Sequence, residues 1–138
     1  MKQEDKELLL KDICARLPYG VKGRVSRSDH NNRKCEFVAT IDGKLYDRFA
    51  VFQESWYDNV TIKPYLFPLS SMTEEQLYNN PIGFTQMLII KADRDWENIT
   101  INRRAYYKLE DWFNKNHFDY RGLIKNGLAI DATGLNIY

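Results

Sequence analysis

Polar and apolar positions alternate along this chain with a period that changes from helical to two and back again. Over residues 3–17, Leu10, Ile13, Cys14 and Leu17 recur at spacings of three and four. Lys6, Glu7, Lys11 and Asp12 fill the other side, so an amphipathic helix is predicted. Pro18 and Gly20 stop it. Val21, Gly23 and Val25 then alternate with Lys22, Arg24 and Ser26. After a polar turn at Asp29-His30-Asn31-Asn32, Cys35, Phe37, Ala39 and Ile41 alternate with Glu36, Val38 and Thr40. Asp42-Gly43 predicts a two-residue hairpin turn with a return strand from Leu45 to Phe52, because a type I′ turn needs positive φ at both positions. Val60 to Lys63 reads as a further strand, ended by Pro64.

The second half returns to helical spacing. Thr73, with Gln76 three residues on, has the form of a capping box opening a short helix that Asn79-Asn80-Pro81 closes. Phe84 to Ile90 is a buried strand or a short apolar segment, and periodicity does not decide between them. Asp93 to Asn98 reads as a polar loop. From Arg103 to about Asn116, Tyr106, Leu109 and Phe113 share a helix face flanked by Trp112. Asp119 then caps a short helix from Tyr120 to Asn126, with Gly127 in the left-handed closing position. The order predicts an α+β domain over residues 1–138. An antiparallel β-meander would carry an N-terminal helix and C-terminal helices on one face.

Composition narrows the function classes. A chain of 138 residues with 43% apolar and 28% charged positions is one ordinary globular domain. Its 9 Tyr, 7 Phe and 3 Trp suit a core, but also surfaces that stack on flat ligands or partners. Twenty basic against 19 acidic residues leave a net charge of +1, so no strong field draws nucleic acid or an anionic membrane, although a local basic patch is compatible with that balance. The longest apolar runs, such as Met87-Leu88-Ile89-Ile90, are far too short to span a bilayer, and the first residues lack a signal-type apolar stretch. A cytoplasmic protein is expected. Cys14 and Cys35 are expected to be small buried hydrophobes. With only His30 and His117 besides, and no CxxC or HxxxH spacing, no metal site is expected.

Three segments carry a resemblance: Leu8-Leu9-Leu10-Lys11-Asp12-Ile13-Cys14-Ala15-Arg16-Leu17-Pro18-Tyr19-Gly20-Val21-Lys22, Ser70-Ser71-Met72-Thr73, and Trp112-Phe113-Asn114-Lys115-Asn116-His117-Phe118-Asp119-Tyr120-Arg121-Gly122-Leu123-Ile124. Together, over about a quarter of the chain, they resemble a family of small proteins encoded by gut Bacteroidales, their prophages and their phages. The resemblance implies a phage or mobile-element setting in a host cytoplasm, and brings no established activity, cofactor or catalytic residue. Residues 130–138 depart from the family's pattern.

The sharpest chemical signal is Thr100-Ile101-Asn102-Arg103-Arg104-Ala105-Tyr106-Tyr107. Asn102 is a good N-cap, which puts Arg103 and Arg104 in the first turn, the end where the helix dipole is already positive. A bound phosphate would satisfy both the amides and the guanidinium groups, and Tyr107, four residues after Arg103, offers a ring for a base. Pairing with Asp93, Asp95, Glu97 or Glu110 is the structural alternative. Arg48, Phe52, Trp56 and Tyr57 form a second cluster, a stacking surface if exposed and core if buried. His117, Asp119 and Arg121 read first as a capped turn. Asp93, Asp95 and Glu97 lack the glycine turn and ligand count of a cation loop. No P-loop, GxGxxG or GxSxG is present, and no catalytic residue is assigned.

The expected function is therefore non-catalytic. The chain would bind and sequester a phosphorylated, nucleotide-like small molecule such as a host immune signal, through Asn102, Arg103, Arg104, Tyr107, Arg48 and Trp56. The alternative is a protein–protein interaction module acting on a host or phage protein, using the same Tyr, Trp and Arg residues as anchors. A homodimer suits either reading.

Overall fold

A computed structural model describes residues 2–28, 33–41, 60–92 and 103–138. The first helix, α1, runs Gln3–Arg16 and passes into a 3-10 turn at Leu17–Tyr19, where Pro18 and a left-handed Gly20 end it as the sequence predicts. The buried stripe of α1 is Leu9, Asp12, Ile13 and Arg16. It is turned from the predicted face, so that Asp12 is fully enclosed and Cys14 is exposed. Cys35 is exposed as well; neither cysteine is a core residue. A carboxylate and a guanidinium one turn apart neutralise each other, which lets two charged positions share a stripe with Leu9 and Ile13.

Strands β1 (Lys22–Ser28), β2 (Lys34–Thr40) and β3 (Val60–Leu66) form antiparallel pairs in the order β2-β1-β3. A two-residue strand β4 (Ile130–Asp131) adds parallel to β3 at Tyr65 and Leu66. The α+β class stands, but the sheet is mixed, and β3 joins the far side of β1 rather than continuing a meander. Pro64 does not end β3. It pairs with Gly23 on one side, and on the other it precedes the start of β4, an edge position that needs no donor. A side chain at Gly23 would be crowded there. A Cβ would lie 2.8 Å from Ile41 Cδ1 and 3.2 Å from the Lys63 carbonyl oxygen. The predicted hairpin at Asp42-Gly43, the strand from Leu45 to Phe52 and the loop from Asp93 to Asn98 lie outside the described residues.

Two apolar clusters fill the molecule. One packs Leu9 and Ile13 of α1 against Val25, Ile62 and Leu66 of the sheet, closed by Leu123, Leu128 and Ala129. The other gathers Leu69, Met72 and Leu77 with Met87 and Ile90, Leu109 and Phe113, and Phe118 and Tyr120. Thr73 makes the predicted capping box for α2 (Glu74–Tyr78): Gln76 N–H donates to its hydroxyl at 3.2 Å, and Thr73 N–H donates to Gln76 Oε1 at 2.8 Å. Phe84 to Lys91 is helix α3, not a strand, and it buries only Met87 and Ile90. Helix α4 (Arg103–Lys115) buries Leu109, Phe113 and Asn114. The later helices thus build a second cluster of their own.

Candidate functional site

Leu109 and Phe113 lock α4 down by its apolar side, which leaves Arg103, Arg104, Tyr107 and Lys108 exposed on the other. Arg104 and Lys108 are one turn apart. With Pro81 and Ala105 they line an open cavity of about 350 Å³. Pro81 is held by its neighbour: Asn80 Oδ1 accepts from Ile82 N–H at 2.9 Å and from Gly83 N–H at 2.7 Å, and its amide donates to the Leu77 carbonyl. This side-chain turn fixes the loop between α2 and α3. Tyr78 and Phe84, at the two ends of that loop, stack with centroids 4.8 Å apart, and both are exposed.

Of the expected site residues, Arg104 lines the cavity, while Arg103 and Tyr107 lie outside it. Tyr107 meets Tyr106 edge to face at 6.4 Å. Asn102, Arg48 and Trp56 are outside the described residues, as are the carboxylates Asp93, Asp95 and Glu97. Glu110 forms no ion pair among the described residues; both salt bridges found there belong to Asp12. Arg103 and Arg104 are both exposed, and their pairing with Asp93, Asp95 or Glu97 falls outside the described residues.

A second polar constellation escaped the sequence reading. Asp12 accepts from Arg16 Nε at 2.8 Å and Nη2 at 3.0 Å, and from Arg121 Nη1 at 2.9 Å. Arg16 Nη2 also donates to the Phe118 carbonyl at 2.6 Å. Arg16 and Arg121 lie over the Tyr120 ring at 5.4 and 4.5 Å, and the Tyr120 hydroxyl donates to Asn114 Oδ1 at 2.9 Å. Asp119 accepts from Leu123 and Ile124 N–H. These lie four and five residues on, beyond the reach of an N-cap, so the expected cap is not made; a left-handed Gly122 breaks the segment into turns and no helix follows. Gly127 closes it at φ 73°. The signal was present in the spacing of Asp12 and Arg16, four apart on the stripe of Leu9 and Ile13.

His117 lies beside this cluster, stacked on Tyr138 with centroids 3.7 Å apart and planes 10° from parallel. Burial, then the charges of Arg16 and Lys22, lower its pKa to about 4, so the imidazole is neutral near pH 7. Burial pushes the Tyr120 and Tyr138 hydroxyls up to about 12. The Tyr120 hydroxyl is held by Asn114, and that of Tyr138 donates to the Tyr65 carbonyl at 2.7 Å. His117, Asp119 and Arg121 act on three different partners. The cluster is a structural junction.

Among the described residues no group of three His, Cys, Asp or Glu side chains could hold a metal ion, and no helix is long and apolar enough to cross a membrane. No protein-family model matches this chain, and neither does any curated protein or solved structure.

Proposed function

We propose that the protein binds, without turning over, a phosphorylated, nucleotide-like small molecule at the start of α4. One observation carries the reading: Arg104 and Lys108 line a cavity of about 350 Å³ whose lining, among the described residues, includes no carboxylate. Two cations on adjacent turns suit a phosphate, and Tyr107, exposed on the same helix beside the cavity, suits a base. In the phage-type setting implied by the family resemblance, such a protein sequesters a host nucleotide signal. Native mass spectrometry of the protein with cyclic nucleotides and ADP-ribose derivatives tests this. A retained ligand released unchanged, and lost when Arg104→Glu and Lys108→Glu are combined, is expected. A ligand released in altered form would make the protein an enzyme instead.

A second reading has its own observation. Tyr78, Phe84, Leu88 and Ile89 are all large, apolar and exposed on α2 and α3. This surface suits an interaction module that docks a host or phage protein, and it takes precedence if no compound in the panel leaves an adduct.

A further inference from the structure

The three antiparallel strands have unlike faces. Successive side chains of a strand point to opposite sides. Gly23, Val25, Ile62 and Pro64 therefore turn toward α1 and are buried. Lys22, Arg24, Ser26 and Ser28 take the other side of β1, with Thr61 and Lys63 beside them on β3 and Lys34, Glu36, Val38 and Thr40 on β2. None of these side chains is buried.

Register sets Arg24 directly opposite Lys63. Like charges so placed repel and destabilise a sheet. Neither has an ion-pair partner among the described residues. Glu36, the acid on this face, accepts instead from the Ser26 hydroxyl at 3.1 Å. One pleat along β1 stands Lys22, its Nζ donating to the Ile137 carbonyl at 2.8 Å and lying 6.0 Å from the Tyr138 ring. Tyr138 remains 42% exposed, which leaves an aromatic at the end of the basic row. The arrangement is that of a local anion site in a chain of near-zero net charge.

We propose that this open sheet face docks single-stranded nucleic acid, with Arg24 and Lys63 together holding one backbone phosphate and Lys22 the next. Lys22 and Arg24 are about 7 Å apart along the strand, the scale of one nucleotide step in an extended chain. Three strands span about 10 Å, room for a single strand rather than a wrapped duplex. The Thr61 and Thr40 hydroxyls flank the row as further donors to phosphate and sugar. Charge complementarity supplies the affinity and leaves the base sequence unread.

Fluorescence anisotropy of a labelled oligothymidylate, titrated from low to moderate salt, tests the surface. The wild-type protein is expected to bind with a salt-dependent affinity. The pair Arg24→Gln and Lys63→Gln should weaken binding about tenfold and flatten the log–log salt slope by about 0.7 for each phosphate no longer neutralised. The same pair should keep or raise Tm, since it removes a repulsion. Arg104→Glu should leave this binding unchanged, which separates the sheet surface from the α4 cavity. Absence of binding at low salt would overturn the proposal. So would equal binding by wild type and double variant, or binding only to anionic lipid vesicles and not to the oligonucleotide.

Discussion

At position 117 a histidine occupies backbone territory that glycine or asparagine normally holds, at φ 61°. It closes α4 as a Schellman motif: His117 N–H donates to the Asn114 carbonyl at 3.2 Å, and Phe118 N–H to that of Phe113 at 2.9 Å. Phe118 and Phe113 make the accompanying apolar contact, edge to face at 6.3 Å. The ring stacked on Tyr138 offsets the backbone cost. Arg16 from α1 and Lys22 from β1 face it, so a proton on His117 would join two cations. The unfolded chain takes that proton near pH 6.5, the folded one only near pH 4. This contribution to stability is therefore complete above about pH 6.5 and lost as pH falls toward 4. It amounts to about 2 kcal/mol after solvent screening at this half-buried position. Asp119, whose pKa burial raises, works in the opposite sense and offsets part of the loss. Chemical denaturation at pH 7 and pH 4.5 should give His117→Gly a smaller loss of stability on acidification than wild type. An equal loss would show that His117 does not carry the dependence.

Helix α1 holds to the rest of the molecule through its charged positions as much as its apolar ones. Asp12 balances both Arg16 and Arg121, and Arg16 is 0% exposed. Asp12→Ala would leave an enclosed guanidinium without its counter-charge, which costs about 3–5 kcal/mol. Combining Asp12→Leu with Arg16→Met should restore much of the loss, since apolar groups of similar size fit the same stripe. Urea midpoints of the two variants check both statements. The same residues show where sequence reading stops. The extent of α1 and its stop at Gly20, the Thr73 capping box, the left-handed Gly127 and the span of α4 were legible, because each rests on local chemistry. The rotation of α1 was not, because a charged residue counts as surface until its partner is known, and Arg121 is far along the chain. Helix α3 was undecidable for a related reason. Leu88 and Ile89 are apolar yet exposed, which blurs the helical stripe of Met87 and Ile90. Arg104 was legible, with Arg103, as a cation at a helix start. Its cavity was not, because Pro81 arrives from another element.

Across the whole molecule, the two apolar clusters meet where Arg16, from the sheet-packed helix, donates to Phe118 of the other cluster. Tyr19 adds a hydrogen bond to Asp111 on α4. Ties of this kind predict one cooperative unfolding transition. Trp112 fluorescence, read with Trp56→Phe and Trp96→Phe in place, should share its urea midpoint with far-UV circular dichroism. Separate midpoints would mean that each cluster folds alone. The sheet surface and the α4 cavity are then two faces of one unit, and destabilising either half reduces binding at both. The junction also sets an order of events during synthesis. Arg16 waits for Phe118, 102 residues on, Asp12 for Arg121, 109 residues on, and the Lys22 backbone for Tyr138, 116 residues on. While the chain is still emerging from the ribosome, α1 lacks Arg121 and the Phe118 carbonyl to complete its Asp12–Arg16 pair, and Leu123 and Leu128 to close its apolar side. Helix α1 is thus made well before it can settle, and until then Leu9 and Ile13 stay exposed to whatever chaperone the cell supplies.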